Sequence, residues 1–164
     1  MPRARIKGGR KLAAFIRDAK AASRRDAGAT IGFHDRRIAG LAARLEFGDP
    51  KTNLPERPAF RNALDAAGKA AGAAMTEAAK RNARAIFSER GQRRILEAGA
   101  LAGYQAIRDS YLTGSGLKPV GEAQEARKRG TPGEGRPLVG HKGPKLIDRI
   151  TIRIDGQEWT PPAA

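Results

Sequence analysis

The sequence predicts an α+β fold, a small antiparallel or mixed sheet with several helices packed on it. Long stretches place apolar residues at helical spacing, a short β-favouring run occurs at 30–33, and residues 146–155 alternate apolar with polar side chains. Alanine accounts for 31 of the 164 residues, and it favours helix while burying little area. We therefore expect one helix-rich domain over 1–164, with a thin core that neighbouring subunits help to stabilise.

Composition excludes several classes of protein. Without cysteine, the chain has no disulfide framework, no thiolate zinc site and no thiol nucleophile. No apolar run approaches the roughly 18 residues of a membrane span, and the charged N-terminal segment lacks the apolar centre of a signal peptide. The net charge of +15 leaves two interpretations open. The cations either lie in solvent or in a subunit interface, or they contact a polyanion directly.

The first third of the chain predicts two helices around a short strand. Apolar residues at helical spacing indicate an amphipathic helix over 9–25, whose polar face is cationic. The run at 30–33 is rich in β-favouring residues and is bounded by turn residues, which favours a strand. A second helix is predicted over 36–46, and the Gly-Asp-Pro sequence at 48–50 ends it.

A proline-containing loop over 48–58 leads into a long helix, predicted over 58–88. Prolines stiffen this loop, and stiff loops make good docking surfaces. Because the apolar stripe of the helix is nearly all alanine, another helix or a sheet can approach its backbone closely. The stripe consists of Phe60, Ala63, Leu64, Ala67, Ala71, Ala74, Met75 and Ala78.

The remaining chain predicts a helix, a basic arm and a strand. The helix covers 89–112 and contains three glycines that weaken it. The arm at 113–145 is rich in Gly, Pro, Lys and Arg, so we expect it to be mobile, with at most a short charged helix at 121–129. The strand covers 146–155 and has one buried face. In the short tail that follows, Trp159 either anchors a partner or covers the edge of the sheet.

No set of residues with the spacing of an active site is found. Residues 135–142 approach the phosphate-binding pattern G-x-x-x-x-G-K-[ST], but His141 stands in place of the lysine and Pro137 removes a backbone donor. His34 and His141 each lie near an aspartate in the sequence but lack a third catalytic partner. We therefore predict no enzymatic activity, no cofactor and no metal site.

Three short patches resemble the neck proteins of long-tailed bacteriophages, the tail-completion or head-tail joining family related to the lambda minor tail protein Z. The patches are Ile31-Gly32-Phe33 with Glu46-Phe47-Gly48 after a helix containing Ala42 and Leu45; Pro55 to Arg61; and Pro137-Leu138-Val139 ahead of a strand from Leu146. Two positions depart from the family pattern. Ala59 replaces an aromatic residue, and Gly140-His141-Lys142 replaces Asp-Thr.

The resemblance implies a structural virion protein without catalysis, assembled in the host cytoplasm and located at the neck of the particle. It implies a ring of six subunits between two partners, the tail tube protein and a head-side connector or stopper protein. DNA would pass through the lumen of this ring without sequence-specific binding. The alternative function, which rests on the net charge alone, is that of a basic nucleic-acid-binding protein.

We expect the segments 46–48 and 55–61 to form one structural unit at a subunit interface, because two phenylalanines flank the stiff proline loop between them. We also expect the arm to order on a neighbouring subunit, with an apolar pair as its anchor. The candidate interface residues are Glu46, Phe47, Gly48, Pro55, Arg57, Pro58, Phe60, Arg61, Leu138, Val139 and Trp159.

Overall fold

The computed structural model describes residues 9–22, 27–52, 54–83, 85–114, 117, 125–127, 129–131, 134 and 146–161. Within these ranges the helices are α1 (Gly9–Ala22), α2 (Arg36–Phe47), α3 (Ala59–Arg81) and α4 (Glu89–Thr113). The strands are β1 (Ala29–Gly32), β2 (Thr151–Ile154) and β3 (Gln157–Trp159), and 3-10 turns form at Pro50–Thr52 and Ile147–Arg149. The fold is α+β, as predicted, with a small antiparallel sheet.

The sheet has the strand order β1-β2-β3, so the strand that is central in space comes late in the chain. Thr30 on β1 lies opposite Arg153 on β2, which lies opposite Glu158 on β3. On the other face, Ile152 and Ile154 are fully buried and pack against α4. The sheet is therefore polar on one face and apolar on the face toward the helices.

The C-terminal region differs from the prediction in two ways. The strand predicted over 146–155 begins only at Thr151, because the preceding residues form a 3-10 turn that buries Ile147 in the core. The predicted tail contains β3, because Asp155 and Gly156 reverse the chain with φ values of 53° and 78°. Positive φ at both central residues is typical of the tight turn that Asp-Gly forms in hairpins.

The long helix predicted over 58–88 ends at Arg81. The Asn82 side-chain amide and backbone N–H both donate to the carbonyl of Ala78, at 2.7 and 3.0 Å, which ends the helix. Ser88 then begins α4 by accepting a hydrogen bond from the N–H of Gly91 at 3.1 Å. The first cap therefore ends the helix predicted over 58–88 earlier than expected, whereas α4 begins at Glu89 as predicted.

Helices α3 and α4 pack closely, which confirms the close approach expected from the alanine stripe. A Cβ atom placed on Gly99 would lie 2.4 Å from the Cγ of Met75, and one on Gly103 would lie 3.0 Å from the Cδ1 of Ile31. The glycines therefore mark close contacts with α3 and β1. The prediction of the packed stripe was wrong at one position, because Leu64 is 58% exposed.

The buried core is thin and forms two clusters. The first joins α3 and α4 to the turn before β2: Ala59, Ala63, Ala67, Ile107, Tyr111, Ile147 and Ile150. The second lies between α4 and the sheet: Ala100, Ile152 and Ile154. Alanine and isoleucine make up most of both clusters, so the area buried per residue is small.

Gly99→Ala should destabilise the protein although alanine favours helix. The new methyl group overlaps Met75, and overpacking of this kind typically costs about 1–3 kcal/mol, against a helix-propensity gain of about 0.5–1 kcal/mol. Gly72→Ala is the matched control on α3, because a Cβ there meets no atom within 4 Å. Urea denaturation should show a lower free energy of unfolding for Gly99→Ala and a higher one for Gly72→Ala. Equal effects would contradict the close helix approach.

Candidate interaction site at the α2–α3 junction

The carboxylate of Glu46, near the end of α2, caps the first turn of α3. It accepts hydrogen bonds from the backbone N–H groups of Phe60 and Arg61, at 3.1 and 2.9 Å. Pro58 precedes the helix and provides no side-chain cap. The buried carboxylate therefore satisfies two N–H groups that would otherwise lack partners, and its charge is favourable at the helix N-terminus.

Arg61 ties the two segments together with its guanidinium group. Its Nε donates to the Glu46 carboxylate at 3.3 Å, and its Nη2 donates to the Glu46 carbonyl at 3.2 Å and to the Glu56 carboxylate. The hydrogen bond to Glu56, and then that to Glu46, raises the pKa of Arg61. The N–H of Arg57 also donates to the carbonyl of Leu45 at 2.8 Å. The structure thus brings 45–48 and 55–61 into direct contact.

Phe47 lies on the outside of this unit. Its side chain is 66% exposed, and the Arg61 guanidinium carbon lies 5.2 Å from the centre of its ring. At this distance the cation attracts the face of the ring and holds it in place. An apolar side chain is therefore presented to solvent in a defined orientation.

The loop beside Phe47 forms an open groove of about 200 Å³. Asp49 and Leu54 exchange backbone hydrogen bonds of 3.0 Å, which close the loop as a small antiparallel bridge. Gly48 ends α2 with φ of 75°, a conformation that favours glycine. The groove is lined by Phe47, Gly48, Asp49, Pro50, Leu54, Pro55 and Glu56. Its walls are mainly apolar and carry two carboxylates.

Phe60, also placed in the interface set, packs inside the subunit. Its ring meets those of Phe33 and Tyr111 edge to face, with centroid distances of 5.1 and 5.3 Å. Burial raises the pKa of Tyr111, and the nearby Glu46 carboxylate raises it further. Phe60 thus anchors the start of α3 to α4 and to the residues at the end of β1 through the core cluster around it.

The remaining predicted interface residues lie on β3 or outside the described residues. Trp159 sits on β3 and packs against the cluster of Ala100 and the buried isoleucines, which is the sheet-edge alternative considered for it. Leu138 and Val139 lie outside the described residues, as does most of the 113–145 arm. The short charged helix allowed at 121–129 corresponds to a helical turn at 125–127.

The one described histidine bridges two strands. The imidazole of His34 makes hydrogen bonds with the hydroxyl groups of Thr30 at 3.1 Å and Thr151 at 2.7 Å. Burial lowers its pKa, Arg153 lowers it further, and Glu158 opposes this effect. Asp35, its neighbour in sequence, instead caps α2 by accepting from the N–H of Ile38 at 2.9 Å. The His-Asp pair considered from the sequence is therefore not formed.

The described part of the chain contains no group of three residues able to hold a metal ion. Nor is any helix of that part long and apolar enough to cross a membrane. Comparison with protein-family models, with curated proteins and with solved structures found no match. The candidate site therefore rests on its own geometry.

Sequence analysis identified Glu46 and Arg61 as interface residues and missed their role inside the subunit. A signal for that role was present, because a helix that starts at Pro58 has no side-chain cap of its own. The Glu46 carboxylate is 14 residues from Phe60 in the sequence. Choosing it over Glu56 as the cap required knowledge of how α2 folds back on α3.

Glu46→Ala should unfold the α2–α3 junction. It leaves two backbone N–H groups without an acceptor, and we expect the free energy of unfolding to fall by about 2–3 kcal/mol. Glu77→Ala is the matched control, because the exposed Glu77–Lys80 ion pair should contribute less than about 1 kcal/mol. Thermal denaturation followed by circular dichroism measures both. A loss for Glu46→Ala no greater than the control would contradict the capping role.

Phe60→Ala and Phe47→Ala should distinguish a residue packed in the core from a surface residue at the same helix junction. Phe60 packs against two aromatic rings, so its truncation should cost about 3–5 kcal/mol. Phe47 is mostly exposed, and its truncation should change stability by less than about 1 kcal/mol. Chemical denaturation distinguishes the two values. An unchanged stability of Phe60→Ala would show that its ring contributes little to the core.

Proposed function

We propose that this protein is a structural virion protein that forms a ring at the head-tail junction of a long-tailed bacteriophage. It completes the tail and joins it to the head connector. The three sequence patches that resemble the neck-protein family support this proposal, and two of them meet at the α2–α3 junction. The observation that carries it is the exposed Phe47 beside a braced proline loop, a surface suited to docking a partner.

A braced loop suits assembly because its order is established before binding. Arg61 holds Phe47 and Glu56, and the Asp49–Leu54 bridge closes the loop. A partner therefore loses little additional conformational entropy on binding. Exposed aromatic side chains beside a pocket are typical of residues that dominate interface energies. The partners in this proposal are the tail tube protein, the head-side connector or stopper protein, and further copies of this chain.

The thin core also supports an assembly function. A chain whose buried residues are mainly alanine and isoleucine has little stability of its own. Contacts that form only in the folded state add stability by mass action. A ring supplies such contacts to every subunit.

Nucleic-acid binding is the second candidate function, and one feature of α2 favours it. Arg36 and Arg37 are exposed in the first turn, and neither forms an ion pair with any described residue. The helix dipole disfavours cations at this end, so their position is not explained by the stability of the helix. If phosphates bind there, affinity for duplex DNA should fall steeply with salt. Ring contacts of mixed polar and apolar character should persist.

The isolated chain should be a marginally stable monomer or weak oligomer that forms a ring only with its partners. Native mass spectrometry at micromolar concentration measures the oligomeric state, and labelling the chain in assembled particles locates it. A label at the head-tail junction is the expected result. A very stable monomer that never enters particles would contradict the proposed function.

Phe47→Ala should impair particle assembly without unfolding the subunit. The ring is exposed, so its loss removes a docking contact and little internal packing. Leu64→Ala is the matched control, because Leu64 is another large apolar side chain exposed on a helix. Complementation of a phage lacking this protein, scored as joined heads and tails, measures the effect. Equal assembly by Phe47→Ala, Leu64→Ala and the unaltered chain would remove this surface from the proposed interface.

A further inference from the structure

In the part of the chain that the structure describes, strand β1 has a hydrogen-bonding edge without a partner. The N–H of Asp155 donates to the carbonyl of Gly28 at 2.8 Å. This hydrogen bond shows which residues of β1 direct their backbone groups toward β2, because such residues alternate along an antiparallel pair. Thr30 and Gly32 therefore bond to β2, while Ala29 and Ile31 direct their backbone groups away from it. No described residue forms a hydrogen bond with those outward groups.

Apart from its short length of four residues, this edge lacks the usual protection against strand pairing. Natural edge strands are commonly kept short or protected by lysine, proline, an inward charge or a bulge. The sequence of β1 is Ala-Thr-Ile-Gly, without charge or proline, in a chain of which 30% is charged. Its pairing with β2 runs through four consecutive residues without a bulge. The edge is therefore open to a further strand.

Strand β3, at the opposite side of the same sheet, also has outward backbone groups. On β3, Gln157 and Trp159 lie opposite the residues of β2 that face away from β1. By the same alternation, the backbone groups of Glu158 point outward. Each subunit thus has one uncharged edge and one edge with a carboxylate.

We propose that β1 of one copy pairs with β3 of the next copy, so that the sheets of neighbouring subunits join in a ring. This inference rests on the proposed function, because it assumes a ring. Since β1 and β3 are each antiparallel to β2, they run in the same direction. Neighbouring subunits in a ring of six are related by a rotation of about 60°, which reverses no strand, so the new pair is parallel rather than antiparallel.

The side chains fit this arrangement on both faces of the joined sheet. Ile31 and Trp159 lie on the face toward the helices and would extend one apolar layer across the junction. Glu158 lies on the other face, where it would meet Thr30 of the next copy, beside that copy's Arg153. The pairing therefore places Glu158 of one copy near Arg153 of the next.

Head-to-tail pairing also accounts for both free edges. Every subunit donates one edge of each kind, so a closed ring leaves none exposed. Two copies joined through β1 alone would instead form a dimer with two unpaired β3 edges. A different protein adding its own strand at β1 would leave β3 open in every subunit.

The absence of cysteine allows a direct test with engineered disulfides. Thr30→Cys and Glu158→Cys place thiols on the same face of β1 and β3. Within one copy these positions are two strand spacings apart, roughly 9–10 Å, which exceeds the Cα separation of about 4.4–6.8 Å that a disulfide spans. Any disulfide between the two positions is therefore intermolecular. Gly32→Cys tests a register shifted by two residues, in which Glu158 of the next copy lies opposite Gly32 instead of Thr30. Gly32 lies on the same face of β1 as Thr30.

The single variants are mixed and oxidised at high protein concentration, and the double variant is oxidised in assembled particles. We expect Thr30→Cys or Gly32→Cys, mixed with Glu158→Cys, to give at least about tenfold more linked dimer than the same β1 variant mixed with Lys69→Cys. The double variant should give a ladder of linked subunits under non-reducing conditions.

Two outcomes would overturn the inference. Predominant homodimers of Thr30→Cys would show pairing of β1 with itself. Linkage no greater than that of the Lys69→Cys control, both in solution and in particles, would show that these edges do not meet. The proposed function is judged separately by the particle label. A label at the neck without linkage would reject the edge pairing alone.

Discussion

The carboxylate of Glu46 is the interaction on which the arrangement of α2 and α3 depends. A buried carboxylate must be hydrogen-bonded, and here its partners are two backbone N–H groups and the Arg61 guanidinium. Those bonds fix the first turn of α3 against the last turn of α2. With α3 fixed, Phe60 enters the aromatic cluster and Arg61 reaches Phe47. The same interaction thus orders the core on one side and the exposed loop on the other.

The second constraint is the close approach of α3 and α4. Alanines on α3 face glycines on α4, so the two backbones pack together with few large side chains between them. The largest fully buried side chains are Ile152 and Ile154, on the sheet side of α4. Loss of the sheet would therefore expose both isoleucines, so pairing of a sheet edge would add stability as well as support assembly.

The sequence predicts what depends on local periodicity and misses what depends on contacts between segments. Helices α2 and α4 and strand β1 follow from apolar spacing and turn residues within a residue or two. The early end of α3 at Arg81 was missed, because the apolar spacing continues past it while the Asn82 side chain caps the helix there. β3 could have been predicted from Asp155-Gly156, a strong hairpin signal. The capping role of Glu46 could not, because it requires the folded position of α2.

The distribution of charge bears on how copies of this chain can meet. Among the described residues, backbone N–H groups donate hydrogen bonds to the carboxylates of Asp35, Glu46, Asp49, Glu134 and Asp155. In the full sequence 32 lysines and arginines outnumber 17 acidic residues, which gives the net charge of +15. Identical surfaces of this kind repel each other at low salt. Contacts between copies should therefore favour segments with few cations. Strand β1 has none, and no described lysine or arginine lines the groove beside Phe47, where Arg61 is the cation that contacts the Phe47 ring.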